Sequence, residues 1–174
     1  MYSKYHKAIV EEMEKLAKDD NVIFLGQQCL SEDFYNTLKT IPREKRVEMP
    51  VAEELQLGAS IGLALEGFPP ISIYQRIDFI PRAMDQLVNH LNLIPKLSRG
   101  KFTPKVIIRT TIGTNKPFDV GLQHNKDLTN LIKEAVDFPV VRVRTAEEVH
   151  KAYNQAREIN TPIIIIEEQE LYYE

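Results

Sequence analysis

Apolar residues recur every three to four positions at Tyr5, Ile9, Met13 and Leu16, a spacing that predicts an amphipathic helix closed by the polar run Asp19-Asp20-Asn21. The pattern then changes. Val22 to Leu25 form a short, uninterrupted apolar run stopped by Gly26, as expected of a strand buried on both faces. Ser31 stands where a cap would open a second helix over residues 31–40, and the polar residues 41–46 read as a loop. After Pro50-Val51-Ala52-Glu53-Glu54 the chain runs LGASIGLAL, with Ser60 as its only polar side chain. A helix so apolar all round is normally buried, and Gly67, Pro69 and Pro70 end it. Residues 71–74 predict a second strand and residues 78–94 one long helix, with Pro81 tolerated in its first turn. Residues 105–110 predict a third strand. Beyond a long polar connection come a helix near 126–136, a strand over 139–143, a helix over 146–159 and a strand over 162–168.

Short strands alternating with helices predict an α/β fold, a doubly wound and mainly parallel sheet with helices on both faces. Ligands bind such sheets beyond the carboxyl ends of the strands, where strand order reverses. Attention therefore falls on GQQC after the first strand, YQRIDF after the second, and the loop over 111–125. At 174 residues and 43% hydrophobic content the chain suits one domain over 1–174, large enough to bury roughly two-thirds of its unfolded surface. A net charge of -3 with scattered Lys and Arg argues against nucleic acid as a partner. Cys29 is the single cysteine, so an intramolecular disulfide or a cysteine-based zinc cluster is excluded. With no apolar run long enough for a membrane span, and a charged N-terminus unlike a secretory signal, the expectation is a soluble, cytoplasmic protein. Neither GxGxxG nor a P-loop follows any strand.

Glu53 and Glu54 are the first candidates for chemistry. Acidic residues suit the first turn of any helix, where free amides and the dipole stabilise them. Here, however, the helix they open is apolar, and a carboxyl at a desolvated boundary is suited to proton transfer. Helical spacing puts Glu53 on one face with Leu57, Ser60 and Ala64, and Glu54 on another with Gly58, Ile61 and Leu65. His124, in a polar loop, is either solvated or poised to move protons. Phe79, directly after a strand, is either a core aromatic or a stacking surface. Arg109 ends a predicted strand, as a solvated edge charge or the partner of an anionic ligand. His6, His90 and His150 receive no role.

Taken in order, PVAEELQLGASIGLALEGF, IYQRIDFIPRAMDQLVNH, KVIIRT and GLQHN resemble the pyrimidine-binding domain of thiamine-diphosphate enzymes, in the branch of transketolases and 2-oxoacid dehydrogenase beta subunits. The likeness runs from about Val22 to the last strand. It implies that Glu53, following Pro50-Val51-Ala52, bonds to N1′ of the cofactor's aminopyrimidine and promotes its imino tautomer. It also implies that Phe79 stacks on that ring, that Gln75 and Leu57 line the cofactor, and that His124 faces substrate with Gln27 and Gln28 nearby. Beta subunits of the dehydrogenase type carry acidic residues where Gln27 and Gln28 stand, and an amide cannot relay protons. The diphosphate and its Mg2+ are held in that family by a GDG-bearing domain, and GDG is absent from this sequence. The diphosphate-binding and carboxy-terminal domains are therefore expected elsewhere, with no metal bound by this chain. The expectation is the pyrimidine-binding subunit of a split transketolase-like enzyme acting by ketol transfer or carboligation on a small molecule. It would assemble as a homo-oligomer and, with its partner, an α2β2-type heterotetramer. The alternatives are a beta-type subunit of a 2-oxoacid decarboxylase or dehydrogenase, and a cofactor-silent interaction protein.

Overall fold

A computed structural model describes residues 1–116 and 120–173. Among these, six strands form one sheet: β1 Ile23–Gly26, β2 Arg46–Glu48, β3 Pro70–Tyr74, β4 Ile107–Ile112, β5 Val140–Arg142 and β6 Ile163–Glu168. All neighbours pair parallel, in the order β2-β1-β3-β4-β6-β5. The helices are α1 Lys4–Leu16, α2 Glu53–Leu65, α3 Ile94–Leu97, α4 Thr129–Ala135 and α5 Ala146–Glu158. The apolar runs behave as a parallel sheet requires: alternate residues of β3, β4 and β6 enter opposite cores. Ile71, Ile73, Ile107, Ile163 and Ile165 pack with α1 and α5 on one face, while Ile108, Ile164 and Ile166 pack with Leu57, Ile61, Leu87 and Ile132 on the other. The fold is the doubly wound α/β architecture read from the sequence.

Strand order reverses between β1 and β3, because the chain leaves β1 toward β2 and returns on its other side. A second reversal lies between β4 and β6. Gly26 ends β1 against β3 so closely that a Cβ there would lie 2.2 Å from the carbonyl oxygen of Ile73. α2 docks over this reversal through Gln56, whose side-chain amide donates to Ser72 Oγ (3.2 Å) and to the Ile73 carbonyl (2.9 Å).

Five sequence expectations need correction. Residues 27–40 form a chain of turns rather than a helix opened by Ser31, with Gln28 and residues 33–36 at positive φ. Tertiary contacts hold this shape: the Glu48 carboxylate accepts the backbone N–H groups of Gln28, Leu30 and Ser31, and Arg46 bonds Asp33 and the Cys29 carbonyl. The predicted loop 41–46 is partly strand, since Arg46 begins β2 on the sheet edge. The predicted long helix over 78–94 is broken into a 3-10 segment, Ile77–Ala83, and a π-helix, Gln86–Leu91. Pro81 lies in the first of these, where it has no N–H to continue an α-helical ladder. α2 is not buried all round: Gln56, Leu57, Ser60 and Ile61 are buried, but Leu55 on the opposite side and Leu65 in the last turn are exposed. Finally, Arg109 is neither a solvated edge charge nor a ligand-binding group. It is fully buried within β4, paired through Nε and Nη2 with Glu167 at 2.8 and 2.9 Å. Thr37 accepts a further bond from it, and the Phe34 ring lies under its guanidinium.

Candidate active site at the sheet reversal

Glu53 opens α2 beyond the carboxyl end of β3, held there by the hydroxyl of Tyr74, which donates to its carbonyl oxygen at 3.1 Å. Its carboxylate is 3% exposed. Arg82 Nε donates to Oε2 at 3.0 Å, and Gln27 Nε2 reaches Oε1 at 3.5 Å, the limit of a hydrogen bond. One carboxylate oxygen is therefore firmly paired and the other barely so. A buried carboxylate oxygen without a strong donor suits a ligand that brings a polar ring edge. Glu54, one residue on, is exposed. Both line a cavity of about 540 Å3 with Val51, Gly58, Arg82 and Gln86.

A neighbouring cavity of about 390 Å3 collects Gln28, Gln75, Arg76, Phe79 and His124, together with Glu32 and Tyr35. Phe79 and His124 meet edge to face, with ring centroids 5.7 Å apart at 88°. His124 Nδ1 lies 3.0 Å from the Val120 carbonyl. A carbonyl only accepts, so Nδ1 carries the hydrogen, and the neutral ring keeps its lone pair on Nε2. Among the described residues Nε2 has no hydrogen-bond partner, which leaves it able to take or hold a proton. Residues 117–119 of the loop singled out in the sequence lie outside the described residues.

The structure thus unites Gln28, Gln75, Phe79 and His124 in one cavity and puts Gln27 on Glu53. Glu53 and His124 line adjacent cavities rather than a shared one, with Gln27-Gln28 and the 79–82 turn running between them. Leu57 is 1% exposed, packs in the core and lines neither cavity. Arg82 and Arg76 escaped the sequence reading. Their only signal was position, three residues on either side of Phe79. No group of three His, Cys, Asp or Glu that could hold a metal ion occurs among the described residues, and no described helix is long and apolar enough to cross a membrane. The buried carboxylate of Glu53 at the start of α2 and the partly exposed Phe79 ring just after β3 fit the pyrimidine end of thiamine diphosphate.

Residues 2–174 match the transketolase pyrimidine-binding domain. The chain belongs to that family. Among curated proteins it is similar to the beta subunit of acetoin:2,6-dichlorophenolindophenol oxidoreductase of Cupriavidus necator, 27% identical over 181 residues, covering 96% of this chain and 52% of that protein. It is also similar to the pyruvate dehydrogenase E1 beta subunit of Cyanidium caldarium, 26% identical over 183 residues, covering 99% and 53%. The chain spans about half the length of these relatives. Two solved structures share the fold. A split-gene transketolase, described as an inactive beta4 tetramer, gives a TM-score of 0.66 at 20% identity, covering 94% of this chain and 48% of that one. Transketolase from Campylobacter jejuni gives 0.74 at 13% identity, covering 95% and 25%. Membership places the chain in a family of thiamine-diphosphate enzymes. The named relatives are beta subunits of oxidoreductases and dehydrogenases, and they favour that alternative over the ketol-transfer expectation.

Proposed function

We propose that this chain is the pyrimidine-binding, beta-type subunit of a thiamine-diphosphate enzyme acting on 2-oxo acids or related carbonyl compounds. A separate subunit would supply the diphosphate and Mg2+ site. The observation that carries this reading is the match of nearly the whole chain to beta subunits of pyruvate and acetoin enzymes, with Glu53 buried at the N-terminus of α2. Ketol transfer rests only on likeness of fold, and fold does not fix reaction. When bound, the cofactor supplies a nucleophilic carbon and a sink for the electron pair left on bond cleavage.

The chain's own residues would prepare that chemistry. Glu53 offers Oε1 to the ring nitrogen from a carboxylate only 3% exposed, where one hydrogen bond has more effect on a tautomer than in open water. Phe79 provides a flat apolar face to orient the ring. His124 lines the cavity, where Nε2 would hold or deliver a proton to substrate oxygen. Gln27 and Gln28 contribute hydrogen bonds but cannot exchange protons as carboxylates do.

The test is to purify the chain with a GDG-bearing candidate subunit encoded beside it and titrate thiamine diphosphate with Mg2+ by calorimetry. The pair should then turn over a 2-oxo acid or acetoin with an artificial electron acceptor. Cofactor bound only by the pair, with oxo-acid or acetoin turnover, is the expected result. Efficient ketol transfer between sugars without such turnover would replace this reading with the transketolase one. A pair that assembles but binds no cofactor would leave the cofactor-silent reading.

A further inference from the structure

His124 sits on a loop, yet its backbone is gripped from three strand ends. Arg76, just after β3, donates from Nη1 to the His124 carbonyl at 3.2 Å, and the same nitrogen donates to Gln169 Oε1 at 2.6 Å, just after β6. Gly113, just after β4, lets the loop descend onto it: a Cβ there would lie 1.9 Å from the His124 carbonyl oxygen and 2.2 Å from Arg76 Nη1. One turn on, Asp78 Oδ1 accepts the backbone N–H of Lys126 at 3.1 Å. The His124 N–H itself donates to the Gly121 carbonyl, closing the turn that brings the Val120 carbonyl to the imidazole.

We propose that Arg76 is a positioning residue for His124. By tying the His124 carbonyl to the ends of β3 and β6 across Gly113, it keeps the 120–124 turn closed, and the closed turn fixes the ring with Nδ1 protonated and its plane edge to face with Phe79. A ring on an unanchored loop is free to take the opposite tautomer, because its state is set by the bond its other nitrogen makes. The two hydrogens of Nη1 serve the two acceptors, so one nitrogen ties the His124 carbonyl to Gln169. The role in turnover rests on the proposed function above; the effect on the ring does not.

The test has two parts. The first is 15N NMR of the histidine side chains in the full chain, without partner or cofactor. Wild type should show His124 as the Nδ1–H tautomer. Arg76→Met should lose that signature while the exposed His90 keeps its own, and Arg76→Lys should restore part of it. Gln169→Leu, which removes the second acceptor from outside the loop, should give a weaker loss and serves if Arg76→Met does not fold. A folded Arg76→Met or Gln169→Leu chain with an unchanged His124 spectrum overturns the proposal. The second part is turnover with the partner subunit. Arg76→Met should lower kcat/KM on the order of 10²-fold, the scale of a misplaced reacting group, with thiamine-diphosphate affinity nearly unchanged. If the tautomer is lost and turnover is not, the clamp stands and the substrate role of His124 falls instead.

Discussion

Glu53 and Glu54 are adjacent, equally acidic and equally suited to a helix N-terminus, yet one is buried against Gln27 and Arg82 and the other is exposed. One helical step turns a side chain by about 100°, and that rotation separates a group able to act on a ring from one at the rim. Glu53→Gln in the reconstituted enzyme should lower kcat by on the order of 10²-fold or more, the scale of a lost acid-base contribution. It should also slow exchange of the cofactor's reactive C–H in deuterated buffer, followed by NMR. Glu54→Gln should change neither by more than a few-fold. Slowed exchange in Glu54→Gln alone would move the catalytic assignment by one residue. A second pair tests stability. Arg109→Met leaves Glu167 buried with only the hydroxyls of Tyr153 and Tyr172 as donors, and breaking a buried ion pair by removing one partner costs about 3–5 kcal/mol. Denaturant titration of Arg109→Met should show a loss of that order. A loss under about 1 kcal/mol would mean that the pair adds little beyond its own desolvation.

At the scale of elements, α1 and α5 are joined by a buried carboxylate. Glu12 on α1 accepts bonds from Lys15 on its own helix and from His150 and Arg157 on α5, each at 2.6 Å. Burial pushes the Glu12 carboxyl up, but these three donors outweigh it and bring it below the ordinary value of 4.5. His6, earlier on α1, is also held low, below 6.5: burial disfavours its charged form more than the bond to the Tyr35 carbonyl favours it. Both signs run the same way. A lowered histidine lets the unfolded chain bind protons first, so stability falls as pH drops below about 6.5. A lowered carboxyl contributes stability above its unfolded value that is lost as pH falls below 4.5 and through its folded value. Thermal melts from pH 7 to 4 should therefore show a falling Tm, with Glu12→Gln flattening the part below pH 4.5. A Tm constant across that range would contradict both shifts. The connecting elements were the hardest to foresee. Nothing local in residues 31–40 opposes a helix; long-range contacts make turns the better solution, among them Arg109 on Phe34 and Thr37, Arg46 on Asp33, His6 on the Tyr35 carbonyl, and Glu48 on the preceding amides.

At the scale of the whole molecule, the exposed apolar residues around α2 bear on assembly. The inner stripe of this helix packs on β3, but its outer side leaves Val51, Leu55, Leu65 and Phe68 exposed around the mouth of the Glu53 cavity and beyond. Val51 and Leu55, together at the cavity mouth, are the candidate interaction surface. Self-association through that face, with or without the partner subunit, is the expected outcome, measured by light scattering across concentration. Leu55→Glu with Leu65→Glu should shift the chain toward monomer while its circular dichroism stays that of the folded domain. A wild-type chain that is monomeric at high concentration, alone and with the candidate partner, would refute this.

The sequence by itself determined the alternation of strands and helices, the parallel sheet implied by apolar runs such as Ile163–Ile166, and the Pro50-Val51-Ala52-Glu53 entrance of α2, because each is written in spacing and turn chemistry over a few residues. Exposure of one side of α2 was not legible there, since an apolar helix reads alike whether a second face meets its own core or another chain. Only the tertiary structure decided the fate of Arg109, whose partner Glu167 lies 58 residues away, and the company of Glu53, where Arg82 is 29 residues distant. It also decided the grip of Arg76 on His124 across 48 residues. Charges and carbonyls that meet over such separations leave no period in the chain, so their pairing appears only once the sheet order has brought the strand ends together.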